Sequence, residues 1–106
     1  MANVVLYKTS GATLPLVQVD FTNLLTGDTS ISSGSTVTAT DSGGSDVSAT
    51  IVANKGVSSM ILQADLKAGT DGEDYKVIFH GIGTTTAKPQ EIIVELRVRD
   101  KIVGTV

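Results

Sequence analysis

The stretch from Leu66 to Ile82, L-K-A-G-T-D-G-E-D-Y-K-V-I-F-H-G-I, leaves this chain few folds to choose from. An apolar run ends at Leu66. A polar corner follows, punctuated by Gly69 and Gly72 and closing on Glu73 and Asp74. Tyr75 then opens an alternating run. Tyr75, Val77 and Phe79 fall on one side, and Lys76, Ile78 and His80 on the other. Period two marks a strand with one buried face. A tyrosine at such a strand start can pack its ring under the sheet edge and bond its hydroxyl to the corner backbone. Leu66, Gly69, Asp74 and Tyr75 are therefore the expected structural corner.

The rest of the chain supplies strands to pack around it. Residues 3–8 (N-V-V-L-Y-K) read as a short edge strand, and 9–13 as a loop. From Leu14 the run alternates, with Val17, Val19 and Phe21 against Gln18 and Asp20. Pro15 confines its own position to a strand start or an edge, since it has no N–H to donate. Gly27 marks a turn after Leu24 and Leu25. Ser35 to Thr40 predicts a strand with Val37 and Ala39 inward. The D-S-G-G-S-D turn at 41–46 predicts a hairpin, with Val47 to Ala53 as its partner and Val47, Ala49 and Ile51 inward. Asn54-Lys55-Gly56 reads as another turn, and Val57 to Ala64 as the strand before the corner. Glu91 to Arg99 is the last strand. Ile92, Val94, Leu96 and Val98 face inward; Ile93 is the exception.

Seven or eight short strands with no convincing helix predict an all-β fold. The corner makes it an immunoglobulin-like two-sheet antiparallel sandwich with a tyrosine corner at Tyr75. At 106 residues the chain is one domain. Such a domain buries roughly 65% of its unfolded surface, enough for one core. Aromatic residues are only 4% of the chain and Trp is absent, so Val, Ile, Leu and Ala must fill that core. Thr and Ser number 14 and 10 against 8 Lys plus Arg, a surface solvated largely by hydroxyls. Segments 1–13 and 100–106 are short and partly apolar. They either add strands to their own sheets or dock on a neighbour.

Composition also excludes functions. With no cysteine there is no disulfide and no thiolate metal site. The net charge is −3 and the basic residues are scattered, which argues against nucleic acid. The start, M-A-N-V-V-L-Y-K, has neither the basic nor the apolar part of a secretory leader, and no apolar run approaches a membrane span. The single histidine, His80, lies beside no nucleophile motif, and no enzyme is expected. Asp71, Glu73 and Asp74 are oxygen ligands in type, but their spacing does not fit a calcium loop; Gly/Asp turn chemistry explains them. Gly81 and Gly83 beside Thr84-Thr85-Thr86 lack phosphate-loop spacing, and no helix follows. No cofactor or metal is expected. The candidate interaction residues lie at the two ends of the chain: Val4, Val5, Leu6 and Tyr7, then Arg97, Arg99, Lys101, Ile102 and Val103. The basic three suit an acidic partner or simply keep an edge soluble.

Three segments carry a resemblance. They are V-D-F-T-N-L-L-T-G-D-T-S-I (19–31) with the following T-V-T-A-T, A-G-T-D-G-E-D-Y-K-V (68–77), and I-I-V-E-L-R-V-R-D (92–100). In this order they resemble small Ig-like virion proteins of tailed bacteriophages, described as fibre–tail adaptors or related head-to-tail components. The likeness spans roughly residues 14–100. Gly27-Asp28-Thr29-Ser30-Ile31 carries a serine more than the G-D-T-I element of that group, and Phe21 and Met60 stand about where tryptophans are expected. The resemblance implies a non-enzymatic structural protein, assembled in the host bacterial cytoplasm into a symmetric ring or cluster with other virion proteins. A capsid decoration protein and a bacterial surface Ig-like adhesion module are the alternatives.

Overall fold

A computed structural model describes residues 4–100. Seven strands and one helical turn follow in the order β1 (Val4–Lys8), β2 (Leu14–Asp20), β3 (Thr36–Thr40), α1 (Ser48–Ile51), β4 (Val52–Ser58), β5 (Ile61–Leu66), β6 (Asp74–Ile82) and β7 (Pro89–Val98). They form a four-stranded sheet, β1-β7-β6-β3, and a three-stranded sheet, β2-β5-β4. The fold is all-β, with a sandwich-like pair of sheets around one core. Every pairing is antiparallel except β1 with β7, which is parallel.

Alternation builds the core. Tyr75, Val77 and Phe79 of β6 are buried beside Val94, Leu96 and Val98 of β7, while Leu62, Ala64 and Leu66 of β5 face them from the other sheet. With two phenylalanines in the chain, each matters. Phe21, at the end of β2, and Phe79 are both fully buried. The Phe21 ring lies on the backbone of β6 at Gly81, where an added Cβ would stand 2.9 Å from the ring carbons.

The turn expected at 41–46 forms and returns the chain to β3 through an antiparallel Thr40–Asp46 bridge, but the expected partner strand from Val47 to Ala53 does not follow. Asp46 takes the Ser48 N–H at 2.9 Å and the Ser48 hydroxyl at 2.6 Å, which turns the chain into α1 instead of a strand. Val47 and Ile51, four apart, then share one face of the turn; Ile51 is buried and Ala49 is exposed. β3 pairs instead with β6, and β4 belongs to the other sheet. Asn54-Lys55-Gly56 is not a turn between strands. It is an irregularity within β4, where Asn54 takes a positive φ of 53° and the register shifts between Ala53 and Gly56. The strand expected over 57–64 is split by a turn at Ser59 (φ 51°) and Met60, which lets β4 fold back on β5.

The three-stranded sheet is bulged on both of its edges at the same level. β2 shifts register between Leu14 and Val17, with Leu16 at φ 51°. Asp65 of the central strand holds both irregularities. One carboxylate oxygen accepts the Leu16 N–H at 2.9 Å, and the other accepts the Asn54 amide at 2.8 Å.

Because Phe21 and Gly81 are in close contact at a packed sheet interface, Gly81→Ala forces the ring or the strand to shift. The expected loss is about 1–3 kcal/mol, read from the midpoint and slope of urea unfolding. An unchanged midpoint would show that the Phe21 ring is free to repack.

Candidate interaction surface

Several long-range polar contacts converge on the corner. Leu66 ends β5 fully buried. The chain then passes Ala68 (φ 55°) and Gly69 (φ 98°), where a Cβ would come within 2.8 Å of Val98. The Thr70 N–H donates to the Tyr75 hydroxyl oxygen at 2.9 Å. The Gly72 N–H reaches the Val98 carbonyl at 2.8 Å, and the Val98 N–H returns to the Glu73 carbonyl at 3.0 Å. Asp74 pairs with Arg99 at 2.7 Å. An open cleft of about 670 Å³ lies beside Tyr75, bordered by Asp41, Ser42, Ile51, Gly69 and Glu73. The Ser42 hydroxyl donates to Glu73 within it at 2.8 Å.

The acidic cluster of the corner is dispersed among different partners. Asp71 accepts the Asp100 N–H, Glu73 takes Ser42, and Asp74 takes Arg99. Arg99 is further bound by its other nitrogen to the Glu73 and Val98 carbonyls. The corner thereby engages this arginine from several sides.

Arg97 sits differently. On the outer face of the four-stranded sheet its guanidinium lies 5.7 Å from the Tyr7 ring centre, donates to the Tyr7 hydroxyl at 2.9 Å and pairs with Glu95 at 3.2 Å. These two partners raise its pKa above the ordinary value, with the Glu95 hydrogen bond the larger cause. Val5 and Tyr7 of β1 and Ile93 of β7 are exposed on this outer face. Val4 is also exposed, but its side chain alternates to the inner side with half-buried Leu6 and buried Lys8. Thus β1 and Arg97 are brought together, while Arg99 is drawn to the corner. Lys101, Ile102 and Val103 lie outside the described residues.

Lys8 carries no local signal of its role. Its ammonium turns inward and donates to the carbonyls of Thr9 (2.6 Å), Ser10 (3.4 Å) and Ala68. Burial pushes its pKa down, opposed by the nearby Asp100 carboxylate. Asp100 in turn accepts the Ser10 N–H at 2.8 Å. One lysine therefore ties the end of β1 to the corner.

At the other end of the sandwich the G-D-T-S-I element has a defined task. Asp28 accepts the N–H groups of Thr85 (2.8 Å) and Thr86 (3.0 Å) and the Thr86 hydroxyl (2.7 Å). The threonine loop after β6 thus cradles a carboxylate from its own chain. Gly83 is required beneath it, since a Cβ there would fall 2.1 Å from an Asp28 oxygen. Ser30 and Thr84 join hydroxyls at 2.8 Å alongside. His80, further along the outer face of β6, shares a 2.8 Å hydrogen bond with Glu91 of β7.

No protein-family model, no curated protein and no solved structure matches the chain.

The Thr86 hydroxyl and the two loop N–H groups hold the Asp28 pKa below the ordinary aspartate range. A carboxylate stabilised in this way contributes fully above its unfolded pKa and loses that contribution as pH falls through the lower folded value. Asp28→Asn is therefore expected to lower the urea midpoint at neutral pH, and the gap to the parent protein should close on acidification. A gap that is independent of pH would mean that the charge of Asp28 contributes nothing.

Proposed function

We propose that this chain is an immunoglobulin-like, non-enzymatic structural component of a tailed bacteriophage virion, an adaptor joining tail or neck to fibres or to neighbouring ring proteins. Several observations support the Ig-like part. The sheet β2-β5-β4 stands against β7-β6-β3, the arrangement of strands B-E-D against G-F-C. Tyr75 opens the strand in the F position, and its hydroxyl accepts a hydrogen bond from the corner five residues upstream, as a tyrosine corner requires. The parallel β1 is an added edge strand beside the G position.

The observation that carries the virion reading is the fit between the resembling segments and the joints of the sandwich. The 19–31 segment supplies Phe21 to the core and Asp28 to the threonine loop. The 68–77 segment is the corner. The 92–100 segment closes on it through Val98 and Arg99. The features shared with the phage group thus include the long-range ties that define this architecture. An adaptor also needs contact surfaces at sheet edges, where a neighbour can dock by strand addition. β1, with Val4, Val5 and Tyr7 exposed, is such an edge.

The test is particle association. Tailed particles from the culture that carries the gene are purified by density gradient, and their proteins are quantified by mass spectrometry. The chain is expected to band with the particles in several copies each, and a labelled antibody should mark the neck or tail end by electron microscopy. Label spread over the capsid would indicate a decoration protein instead. Absence from the particles, with the chain present in the lysate or on the cell surface, would overturn the reading.

A further inference from the structure

We propose that β1 is a self-pairing edge, joining two copies of this chain through antiparallel β1 strands into one continuous sheet. The inference goes beyond the virion reading and does not depend on it, since such a pair would form in solution whatever the protein's role.

Two sheets have four edges, and three of them carry an obstacle to strand addition. β2 has Pro15 and the Leu16 bulge. β4 has its Asn54 irregularity and Lys55. β3 is covered in part. Its Ala39 N–H goes to the Ser48 hydroxyl at 2.9 Å and its Ala39 carbonyl to the Val47 N–H at 2.9 Å. Lys55 also donates to the Ser35 carbonyl at 2.8 Å beside it.

β1 has none of these. V-V-L-Y-K contains no proline and no bulge, and its register with β7 runs unbroken from Val4 to Lys8. Its one charged residue, Lys8, is the type that guards edges elsewhere, but here it points inward and is 2% exposed. The Lys8 carbonyl faces β7, where it accepts the Arg99 N–H at 2.9 Å. By the alternation of a strand, the N–H and C=O groups of Val5 and Tyr7 face the open side. Among the described residues nothing pairs with them.

The occupant follows from the chemistry of the strand itself. Val4 to Tyr7 holds no ionisable group other than the tyrosine phenol, so two copies bring no like charges together. An antiparallel register centred on Leu6 sets Val5 opposite the Tyr7 of the other copy, and Tyr7 opposite its Val5. In that register all four open groups of the described strand are paired in each copy. Each Tyr7 ring meets a β-branched side chain across the seam, a favourable cross-strand pair. The two Leu6 side chains meet on the inner side, where Leu6 already packs against the core. A five-residue seam falls short of the roughly 1,200 Å² of a stable interface, so association should depend on concentration.

The chain has no cysteine, which makes a single introduced one diagnostic. In the centred register the two Leu6 positions form a non-hydrogen-bonded pair with Cα atoms about 4.5 Å apart, within disulfide reach. The full chain carrying Leu6→Cys, mildly oxidised over a concentration series, should give several-fold more disulfide-linked dimer on a non-reducing gel than Leu16→Cys. The control cysteine would stand at a still more exposed position on the β2 edge, 61% against half-buried Leu6. Adding Val5→Pro removes an outward N–H but no bond to β7 and should abolish the excess; Val5→Lys serves if the proline variant does not fold. Cross-linking no greater than the control, or undiminished by these second substitutions, would overturn the proposal. So would cross-linking that arises only after residues 101–106 are removed, which would make the chain's own tail the occupant.

Discussion

The crossing from β5 to β6 is the constraint on which the rest of the molecule depends. Between Leu66 and Tyr75 the chain leaves one sheet and enters the other, exposing backbone groups that a ladder would otherwise satisfy. Almost every element of the four-stranded sheet contributes a partner. β7 supplies the Val98 carbonyl and N–H, and β6 the Tyr75 hydroxyl. β1 supplies the Lys8 ammonium, and Arg99 clasps Asp74 from beyond the end of β7. Gly69 permits this convergence, because a side chain at its φ of 98° would be strained and would press on Val98. The corner is therefore a product of the tertiary fold as much as of its local sequence. The same contacts make β1 dependent on it, since a lone edge strand has only β7 to pair with.

The opposite end is closed in a comparable way by a different residue. The 21–35 connection and the 83–88 loop are joined by the Asp28 carboxylate, by the Ser30–Thr84 hydroxyl pair and by the Ile31–Gly83 bridge. Backbone bonds from Phe21 and Ile31 to Met60 and Ser59 bring in the β4–β5 turn. A core built mainly of aliphatic side chains has few large rings to orient its layers, so polar joints at both ends fix how the sheets stand over one another. Phe21 is the exception that shows the rule, because its ring needs a bare glycine on β6 to lie flat.

The period-two runs were legible. β2, β3, β6 and β7 lie close to where alternation puts them, with the expected residues inward, because a buried face imposes that pattern directly. Segment 47–60 was not. Val47, Ala49 and Ile51 alternate as a strand would, but Asp46 captures Ser48 and diverts the backbone before the pattern can act. Asn54-x-Gly56 has turn chemistry, yet it is used for a bulge because Asp65, eleven residues on, holds the Asn54 amide. Of the candidate surface, the exposure of Val5 and Tyr7 could be anticipated from an apolar edge strand. The inward turn of Lys8 could not, because its carbonyl partner at Ala68 is sixty residues away. Arg97 and Arg99 look equivalent in sequence; the strand ends between them, and only the second reaches the corner.

Charge was the least legible property of all. Eight of the eleven acidic residues are aspartates. Seven of them, Asp20, Asp28, Asp41, Asp46, Asp65, Asp71 and Asp100, accept a backbone N–H from a turn, bulge or loop, and Asp74 holds Arg99. A short carboxylate competes well for unpaired N–H groups where strands end, and a seven-strand sandwich has many such ends. The aspartates therefore act as joints as well as charges. Several are held in the ionised form by the bonds they accept; Asp20, Asp28, Asp46, Asp65 and Asp100 all have pKa values below the ordinary range. The donors are mainly neutral N–H and O–H groups, so these carboxylates keep their negative charge while they serve as joints. On the outer face of β1, β7 and β6, Glu95 pairs with Arg97, and Glu91 shares a hydrogen bond with His80. Tyr7, Val5 and Ile93 are the exposed apolar groups of that face, beside the open edge of β1, with the exposed Lys76 of β6 further across it.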